Sequence, residues 1–514
     1  MKKPSAIEPR GIRPFKSDPL RPLEVIDRLE VGPISLEKNR LTAPYTVIWR
    51  KRQSTTKLIY RFEENVFEIE SAESRNLASM IAAQVAINYG LFCRQIVFNG
   101  SFDRHDQRFI LDMAENTARE IYVKKFLEPN PFLVGDASRL PAIKQRHYLR
   151  AQIIFKKTES STLGKSRETD WKSDQLRYAV LSSGGKESLL SFSLLDELGY
   201  SPHPIFVNES GRHWYTALNS YRYFKRQYPE TARVWTNADR VFSWMLRHLP
   251  FIRRDFAGIR SDEYPVRLWT VAVFLFGALP ILRKRGLGAL VIGDEHDTTR
   301  RLRHKGIPHY DGLYDQSRYF DNAMTRYFAR KGWNIRQFSI LRPLSEPLIE
   351  RILVERYPKL QRHQVSCHAT HIRRGRVYPC GDCEKCRRVV GMLLALGADP
   401  RRCGYSRSQV ESVLRELSDT RLRQDAASAE HLLHLLRQKG LISGTGRRGR
   451  FARAHPEIVK VMIDYRKSPS EEIPANLRPA LFKIYLEHAA GAAKRHGNSW
   501  IDFDLLSTAA QRPL

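Results

Sequence analysis

Five short apolar segments between residues 177 and 341 constrain the fold of this chain most strongly. Each is rich in β-branched or aromatic residues, and a stretch with helical periodicity separates it from the next. Strands that alternate with helices in this way form parallel sheets with helices on both faces. We therefore predict an α/β fold with a central parallel sheet. The segments are RYAVLSS, HPIFVNE, ARVWTN, ALVIGDE and NIRQFSIL.

The first of these strands runs directly into SSGGKES, residues 182–188. A glycine turn between a strand and a helix leaves backbone N–H groups unpaired, and the helix dipole adds partial positive charge. Glycines let the backbone approach an anion closely, while serine hydroxyls and Lys186 supply further donors. The spacing excludes a Walker A loop, which needs four residues between its first glycine and its Gly-Lys pair. The segment predicts a phosphate site of another kind.

This segment resembles the Ser-Gly-Gly-x-Asp-Ser loop of the PP-loop ATP pyrophosphatases. The resemblance implies a sheet of the adenine-nucleotide alpha-hydrolase type, cleavage of ATP between its α and β phosphates, and transfer of AMP to a substrate oxygen. Glu187 departs from the pattern, which has aspartate there, so its relation to Mg²⁺ stays open. The residues that the resemblance implies for phosphate binding are Ser183, Gly184, Gly185, Lys186 and Ser188.

Two later strand ends carry residues that would complete such a site. In the family, the end of the second strand and a later strand end usually enclose the adenosine, which implies Val207, Asn208, Gly293 and Asp294 here. Glu295 follows in the same tight loop and is a candidate to meet Mg²⁺ or substrate, although any one of these carboxylates could equally be a surface or capping residue. The catalytic candidates are Lys186, Glu187, Ser188 and Glu295.

Four cysteines crowd into residues 367–386. Twelve residues separate Cys367 from the run Cys380-x-x-Cys383-x-x-Cys386, and thiolates two residues apart can share one ion across a turn. Four thiolates close a tetrahedron, so the spacing predicts structural Zn²⁺, with an iron–sulfur cluster as the alternative. A disulfide scaffold would spread its cysteines through a small secreted chain, so the crowding favours a reducing cytoplasm.

A PP-loop followed by this cysteine knuckle narrows the resemblance. The combination resembles the 7-cyano-7-deazaguanine synthases, which use ATP and ammonia to convert a carboxylate into a nitrile. From about Tyr178 to Leu396 the chain is more similar to the UDP-N-acetylmuramoyl-L-alanyl-L-glutamate epimerases, through FSILRPLSEPLIERILVERYP and CGDCEKCRRVVGMLLALG.

The epimerase chemistry has a physical rationale. Adenylation removes the charge of a glutamyl α-carboxylate and makes its Cα acidic, so a base can take the proton and inversion can follow. The candidate bases are His296, His304, His309 and Glu346, and the sequence does not choose among them.

The net charge of the chain is compatible with more than one class of binding partner. Among 514 residues, 86 basic residues outnumber 55 acidic ones, giving +31, which favours an anionic partner. An acidic small-molecule substrate fits an adenylating enzyme, whereas nucleic acid or a nucleobase would indicate nitrile formation or RNA modification. A third reading is a non-catalytic nucleotide-binding protein in which Glu187 marks a decayed loop. The arginines of RRLRHK, residues 300–305, could bind phosphates or an acidic substrate, or form a solvated loop.

We predict three regions along the chain. They are an α+β N-terminal domain (1–165), a PP-loop domain (166–405) that includes the knuckle, and a helical C-terminal region (406–514). The polar stretch 156–175 is predicted to be a linker or a mobile loop. The apolar stretch 268–282 is too short for a membrane span and contains Pro280, so it predicts a buried core helix. Without a secretory signal, we expect a cytoplasmic protein.

Overall fold

A sheet of eleven strands forms the centre of the protein. The computed structural model describes residues 18, 20–157, 171–209, 211, 213–259, 264–417, 422, 424–443 and 452–509. Its strands are β1 Ile26–Val31, β2 Ser35–Glu37, β3 Arg40–Trp49, β4 Arg52–Phe62, β5 Cys93–Gly100, β6 Gln152–Lys157, β7 Asp174–Leu181, β8 His203–Glu209, β9 Ala232–Thr236, β10 Leu287–Val291, β11 Arg301–His304, β12 Ile307–Tyr310, β13 Arg336–Phe338, β14 His371–Arg373, β15 Arg376–Tyr378, β16 Val461–Ile463, β17 Ala492–His496 and β18 Ser499–Asp502.

Helices flank this sheet and continue beyond it towards the C-terminus. Among the described residues they are α1 Ala72–Ala83, α2 Arg104–Ile121, α3 Lys186–Glu197, α4 His213–Gln227, α5 Ala238–Leu246, α6 Val271–Arg285, α7 Arg318–Arg330, α8 Glu346–Arg356, α9 Pro358–Gln361, α10 Glu384–Leu396, α11 Arg407–Leu417, α12 Ala426–Gln438, α13 Arg478–His488 and α14 Leu505–Ala509.

The strands predicted from the alternating pattern are β7, β8, β9, β10 and β13. They pair in parallel in the order β13-β10-β7-β8-β9. The α/β class with a large, mostly parallel central sheet is therefore confirmed. The chain order reverses between β7 and β10, and in open sheets of this kind ligands bind outside the carboxyl ends of the strands at such a switch point.

The N-terminal strands extend the same sheet. Strand β4 pairs antiparallel with β9, with Tyr60 opposite Thr236, so the sheet crosses the predicted boundary near residue 165. The domain limits themselves stay predictions. Strand β5 lies between α1 and α2. Its segment CRQIVFNG pairs in parallel with both β1 and β6, and this long-range pairing is what makes it a strand.

We predicted a helical C-terminal region, but this region also contains strands. Strands β16, β17 and β18 form a small sheet beside α13. We expected Ala492–His496 to continue the preceding helix, but α13 ends at His488, and Gly491 follows with a φ of +88°. Strand β17 then pairs with β16 in parallel and with β18 antiparallel, so pairing across the chain outweighs local helix propensity.

The predicted core helix is α6, and the prediction is confirmed. All ten residues from Ala272 to Leu282 other than Phe274 are buried, and the hydroxyl of Tyr60 on β4 donates to the carbonyl of Val273 at 3.2 Å. No helix among the described residues is both long and apolar enough to span a bilayer. Of the predicted linker, residues 158–170 lie outside the described residues, and its two ends belong to β6 and β7.

Candidate functional site

Glycines bring three elements together around the loop between β7 and α3. Gly184 has a φ of +80°, and a Cβ on it would lie 2.7 Å from the Cα of Ala217 in α4. Gly185 caps α3 without a side-chain acceptor for the first N–H groups of that helix. A Cβ on Gly293, just after β10, would lie 2.6 Å from the Cβ of Glu187. Only glycine permits these approaches, so the sheet's switch point closes tightly around SSGGKES.

Lys186 is buried beneath this loop and held by two carboxylates. Its Nζ pairs with Glu187 and lies 2.7 Å from Oε1 of Glu346. The same Oε1 lies 3.2 Å from Nε of Arg388, and Oε2 of Glu346 accepts from Nε2 of Gln424 at 2.7 Å. Burial alone would raise the pKa of Glu346, but Arg388 and Lys186 outweigh it and lower the pKa to about 2. Glu346 therefore stays ionised near neutral pH and anchors Lys186.

Two more carboxylates join Glu187 at the mouth of the site. Burial, and then the neighbouring Asp297 and Glu187, raise the pKa of Glu295 well above its ordinary value. Burial, and then Glu346 and Asp425, raise the pKa of Asp297 to about 7. Glu187, Glu295 and Asp297 all keep partial contact with solvent. We call the site formed by Lys186, Glu187, Glu295, Asp297, Glu346 and Arg388 the loop recess.

Sequence reasoning missed two members of the loop recess. Asp297 lies two residues after Glu295 in the same loop, and that proximity was a signal that could have identified it. Arg388 lies on α10, just after the cysteine knuckle, and nothing local in the sequence connects it with a glutamate 42 positions earlier.

The residues expected around adenosine differ in what their side chains contact. Val207 packs against α6, and the Oδ1 of Asn208 accepts from Nε of Arg233 at 2.8 Å. Asp294 lies 3.4 Å from Arg342 in a buried ion pair. The side chains of Asn208 and Asp294 are therefore engaged by arginines, while Gly293 approaches the loop directly. Ser183 and Ser188 stay in the loop, where the hydroxyl of Ser188 donates to the carbonyl of Gly185 at 3.0 Å.

The candidate bases differ in their capacity to accept a proton. Glu346, with its low pKa, is a weak base. Burial lowers the pKa of His296 well below its ordinary value, and its Nδ1 lies 2.9 Å from the hydroxyl of Ser468. His304 and His309 belong to the separate β11–β12 hairpin. Asp297 has a pKa matched to neutral conditions, which suits general-base catalysis.

The four predicted metal ligands come together. Every pair of their sulfur atoms lies within 4.8 Å, with Cys383 to Cys386 at 3.5 Å and Cys380 to Cys386 at 3.9 Å. Tetrahedral coordination with Zn–S bonds of about 2.3 Å separates sulfurs by about 3.8 Å. Backbone N–H groups of Ala369 and Cys380 donate to the sulfur of Cys367 at 3.3 and 3.2 Å. The cluster can therefore hold one metal ion.

The cysteine knuckle also contacts the loop recess. The N–H of Val365, two residues before Cys367, donates to the carbonyl of Gly184 at 3.4 Å. On the other side of the knuckle, Arg388 follows Cys386 by two residues and pairs with Glu346. Because both ends of the knuckle reach the recess, the knuckle's fold helps to set the positions of the loop and of Lys186.

Compared with known proteins, the chain matches no family model and no curated protein.

Proposed function

We propose that the chain is an ATP-dependent enzyme of the PP-loop kind, which transfers AMP to a substrate carboxylate and releases pyrophosphate. The single observation that carries this proposal is the position of SSGGKES at the switch point between β7 and β10, with Lys186 behind it. A helix start with unpaired N–H groups next to a buried lysine binds the leaving diphosphate of ATP.

The charge of the loop recess supports a requirement for Mg²⁺. Four carboxylates crowd around Lys186 and Arg388, so the loop recess offers a triphosphate no clear excess of positive charge unless a metal ion enters with it. Carboxylate oxygens are donors of the type that Mg²⁺ prefers, and Glu187 and Glu295 would hold the ion together with the phosphate oxygens of ATP. When bound, the ion neutralises phosphate charge and stabilises the transfer of AMP.

The acceptor is an acidic small molecule, and epimerisation of a peptidyl-glutamate of a cell-wall precursor is the sharpest form of the proposal. Once the α-carboxylate is adenylated, Cα loses a proton more readily, and Asp297 has the pKa to accept it. In the cysteine knuckle, the sulfur spacing favours one Zn²⁺ over an iron–sulfur cluster, because the four thiolates of a cluster are shared among two or four irons and cannot all lie as close together.

A second candidate, action on RNA or a nucleobase, is favoured by one surface feature. The β14–β15 hairpin exposes His371, Ile372, Arg373 and Arg374 at its tip. Exposed arginines beside an apolar side chain suit phosphate contacts and base stacking.

ATP–pyrophosphate exchange with pools of carboxylates and of RNA, each with and without Mg²⁺, tests the proposal and separates the two acceptors. Lys186→Ala and Ser188→Ala should each reduce AMP formation at least about 100-fold, because they remove contacts to the transferring phosphates. Ser193→Ala is the matched control, since Ser193 lies on the same helix and its hydroxyl also donates to a backbone carbonyl, that of Leu189 at 2.9 Å.

Full exchange in both loop variants, with Ser193→Ala also active, would contradict the assignment of the loop. Exchange that needs RNA and is absent with every carboxylate pool would replace the first acceptor with the second.

A further inference from the structure

An open pocket of about 470 Å³ lies outside the loop recess. Helix α2, the β11–β12 hairpin and helix α7 supply its walls, and four of its lining side chains are arginines. We call it the arginine pocket; its arginines are Arg119, Arg301, Arg318 and Arg326.

The arginine pocket carries unbalanced positive charge. Arg318 pairs with Glu472, with 2.6 Å between Nε and Oε1, and Arg119 pairs with Glu120 at 3.1 Å. Of the described residues, no carboxylate lies within ion-pair distance of Arg301 or Arg326. Two guanidinium charges therefore face the same concave space without an acidic partner, and an anion entering it gains their attraction.

Aromatic side chains fix the orientation of Arg301. Its guanidinium lies 3.7 Å from the ring centre of Tyr319, and its Nη2 donates to the hydroxyl oxygen of Tyr310 at 2.8 Å. Stacking and a hydrogen bond together hold the planar group, so little side-chain entropy remains to be lost when it binds a ligand. Because the hydroxyl oxygen of Tyr310 accepts from Arg301, the proton of that hydroxyl is available to a second acceptor.

We propose that the arginine pocket binds a small polyanion that carries at least two phosphate or carboxylate groups. Its volume falls within the range of small-molecule sites, although it is open to solvent. Nucleic acid binding would instead need an extended groove that follows a phosphate backbone. Guanidinium forks bind phosphate and carboxylate oxygens with the same geometry, so both groups fit the pocket. This inference does not depend on the activity proposed for the loop recess.

Calorimetric titration of the full chain, without ATP or divalent metal, tests the pocket with tripolyphosphate in one arm and citrate in another. Wild-type protein should bind at least one of them at submillimolar concentration. The double variant Arg301→Gln/Arg326→Gln should weaken that binding at least about tenfold, because it removes both unpaired charges. The stronger of the two ligands then identifies phosphate or carboxylate as the natural group.

The matched control is Arg303→Gln/Arg330→Gln. It removes the same charge from the same strand and the same helix, at exposed positions that do not line the pocket. Binding should remain within about twofold of wild type, because only long-range charge changes. Thermal unfolding of both double variants should match wild type, since none of the four side chains is buried.

Equal weakening in the test and control variants would overturn the proposal, because it would mean that overall charge rather than the pocket binds the anion. Absence of binding by both small anions, with a twelve-nucleotide oligothymidylate binding instead in an Arg301- and Arg326-dependent manner, would also overturn it.

Discussion

The loop recess and the arginine pocket both attract anions, but they balance charge in opposite ways. In the loop recess, Lys186 and Arg388 are surrounded by carboxylates, and two of these have raised pKa values. In the arginine pocket, Arg301 and Arg326 have no acidic partner among the described residues. The first arrangement is suited to a metal-bound anion, and the second is suited to an anion without a metal.

The two sites also differ in how they are assembled. The loop recess is built around one contiguous segment, and glycines at three positions let neighbouring elements close on it. The arginine pocket draws its side chains from α2 and α7, which are about 200 residues apart. A short motif can therefore announce a site of which it supplies only a part, here Lys186 and Glu187, whereas a pocket whose side chains all come from separate elements leaves no local signature.

The largest expected effect comes from disrupting the cysteine knuckle, which should impair the loop recess and leave the arginine pocket unaffected. Cys383→Ser removes one metal ligand and should loosen both connections between the knuckle and the loop recess. Displacing catalytic groups by about 1 Å can cost about 100-fold in rate, so AMP formation should fall at least that far. Binding of tripolyphosphate or citrate to the arginine pocket should be unchanged.

Cys93→Ala is the control for this change, because Cys93 is a buried cysteine in β5 and not one of the four cysteines of the knuckle. Metal analysis and thermal unfolding should accompany the rate measurement. A Cys383→Ser protein that keeps its metal, its unfolding temperature and its rate would show that the knuckle does not support the recess.

Removal of divalent metal should also affect the two sites differently, and its effect should be smaller than that of Cys383→Ser. Chelation should weaken ATP binding to the loop recess at least about tenfold, because no cation then bridges the carboxylates and the triphosphate. Anion binding by the arginine pocket should not need metal. Titrations of each ligand with and without Mg²⁺ measure both quantities, and equal Mg²⁺ dependence at the two sites would remove the distinction.

The smallest expected effect concerns Glu350, a buried residue of α8 behind the recess. Burial raises its pKa from the ordinary value of 4.5 to about 7, so the folded state binds this proton more tightly than the unfolded state. The free energy of unfolding should therefore fall as pH rises from about 4.5 to about 7, by at most about 3 kcal/mol. Glu350→Gln, which cannot ionise, should flatten this part of the stability profile.

Denaturant unfolding between pH 4 and pH 8 measures this slope. The control is Glu355→Gln, on the exposed side of the same helix, where loss of a solvent-screened charge should leave the slope intact. If Glu350→Gln keeps the wild-type slope, a group other than Glu350 is responsible for the pH dependence of stability.

Several features were predictable because their signals are local. Alternating apolar and helical segments predicted the parallel strands β7 to β10 and β13, since side-chain periodicity reflects burial on both faces of a sheet. Cysteine spacing predicted the metal cluster, because three of its ligands lie within seven residues. Apolar length and Pro280 together predicted that α6 is a buried core helix.

Other features required the folded chain. The partner of Lys186 is Glu346, 160 residues away, and Asn208 and Asp294 turned out to be engaged by arginines that no local pattern connects with them. Strands β5 and β17 form because partners in the sheet complete their hydrogen bonds, although the composition of β17 by itself had predicted a helix.

The sequence by itself determined the strand order along the chain, the glycine loop and the four thiolates, because each depends on residues close together in the chain. The tertiary structure alone decided which charges meet. It surrounded Lys186 with carboxylates and left Arg301 and Arg326 without one, since electrostatic balance depends on distances in space that only the packed sheet and helices set.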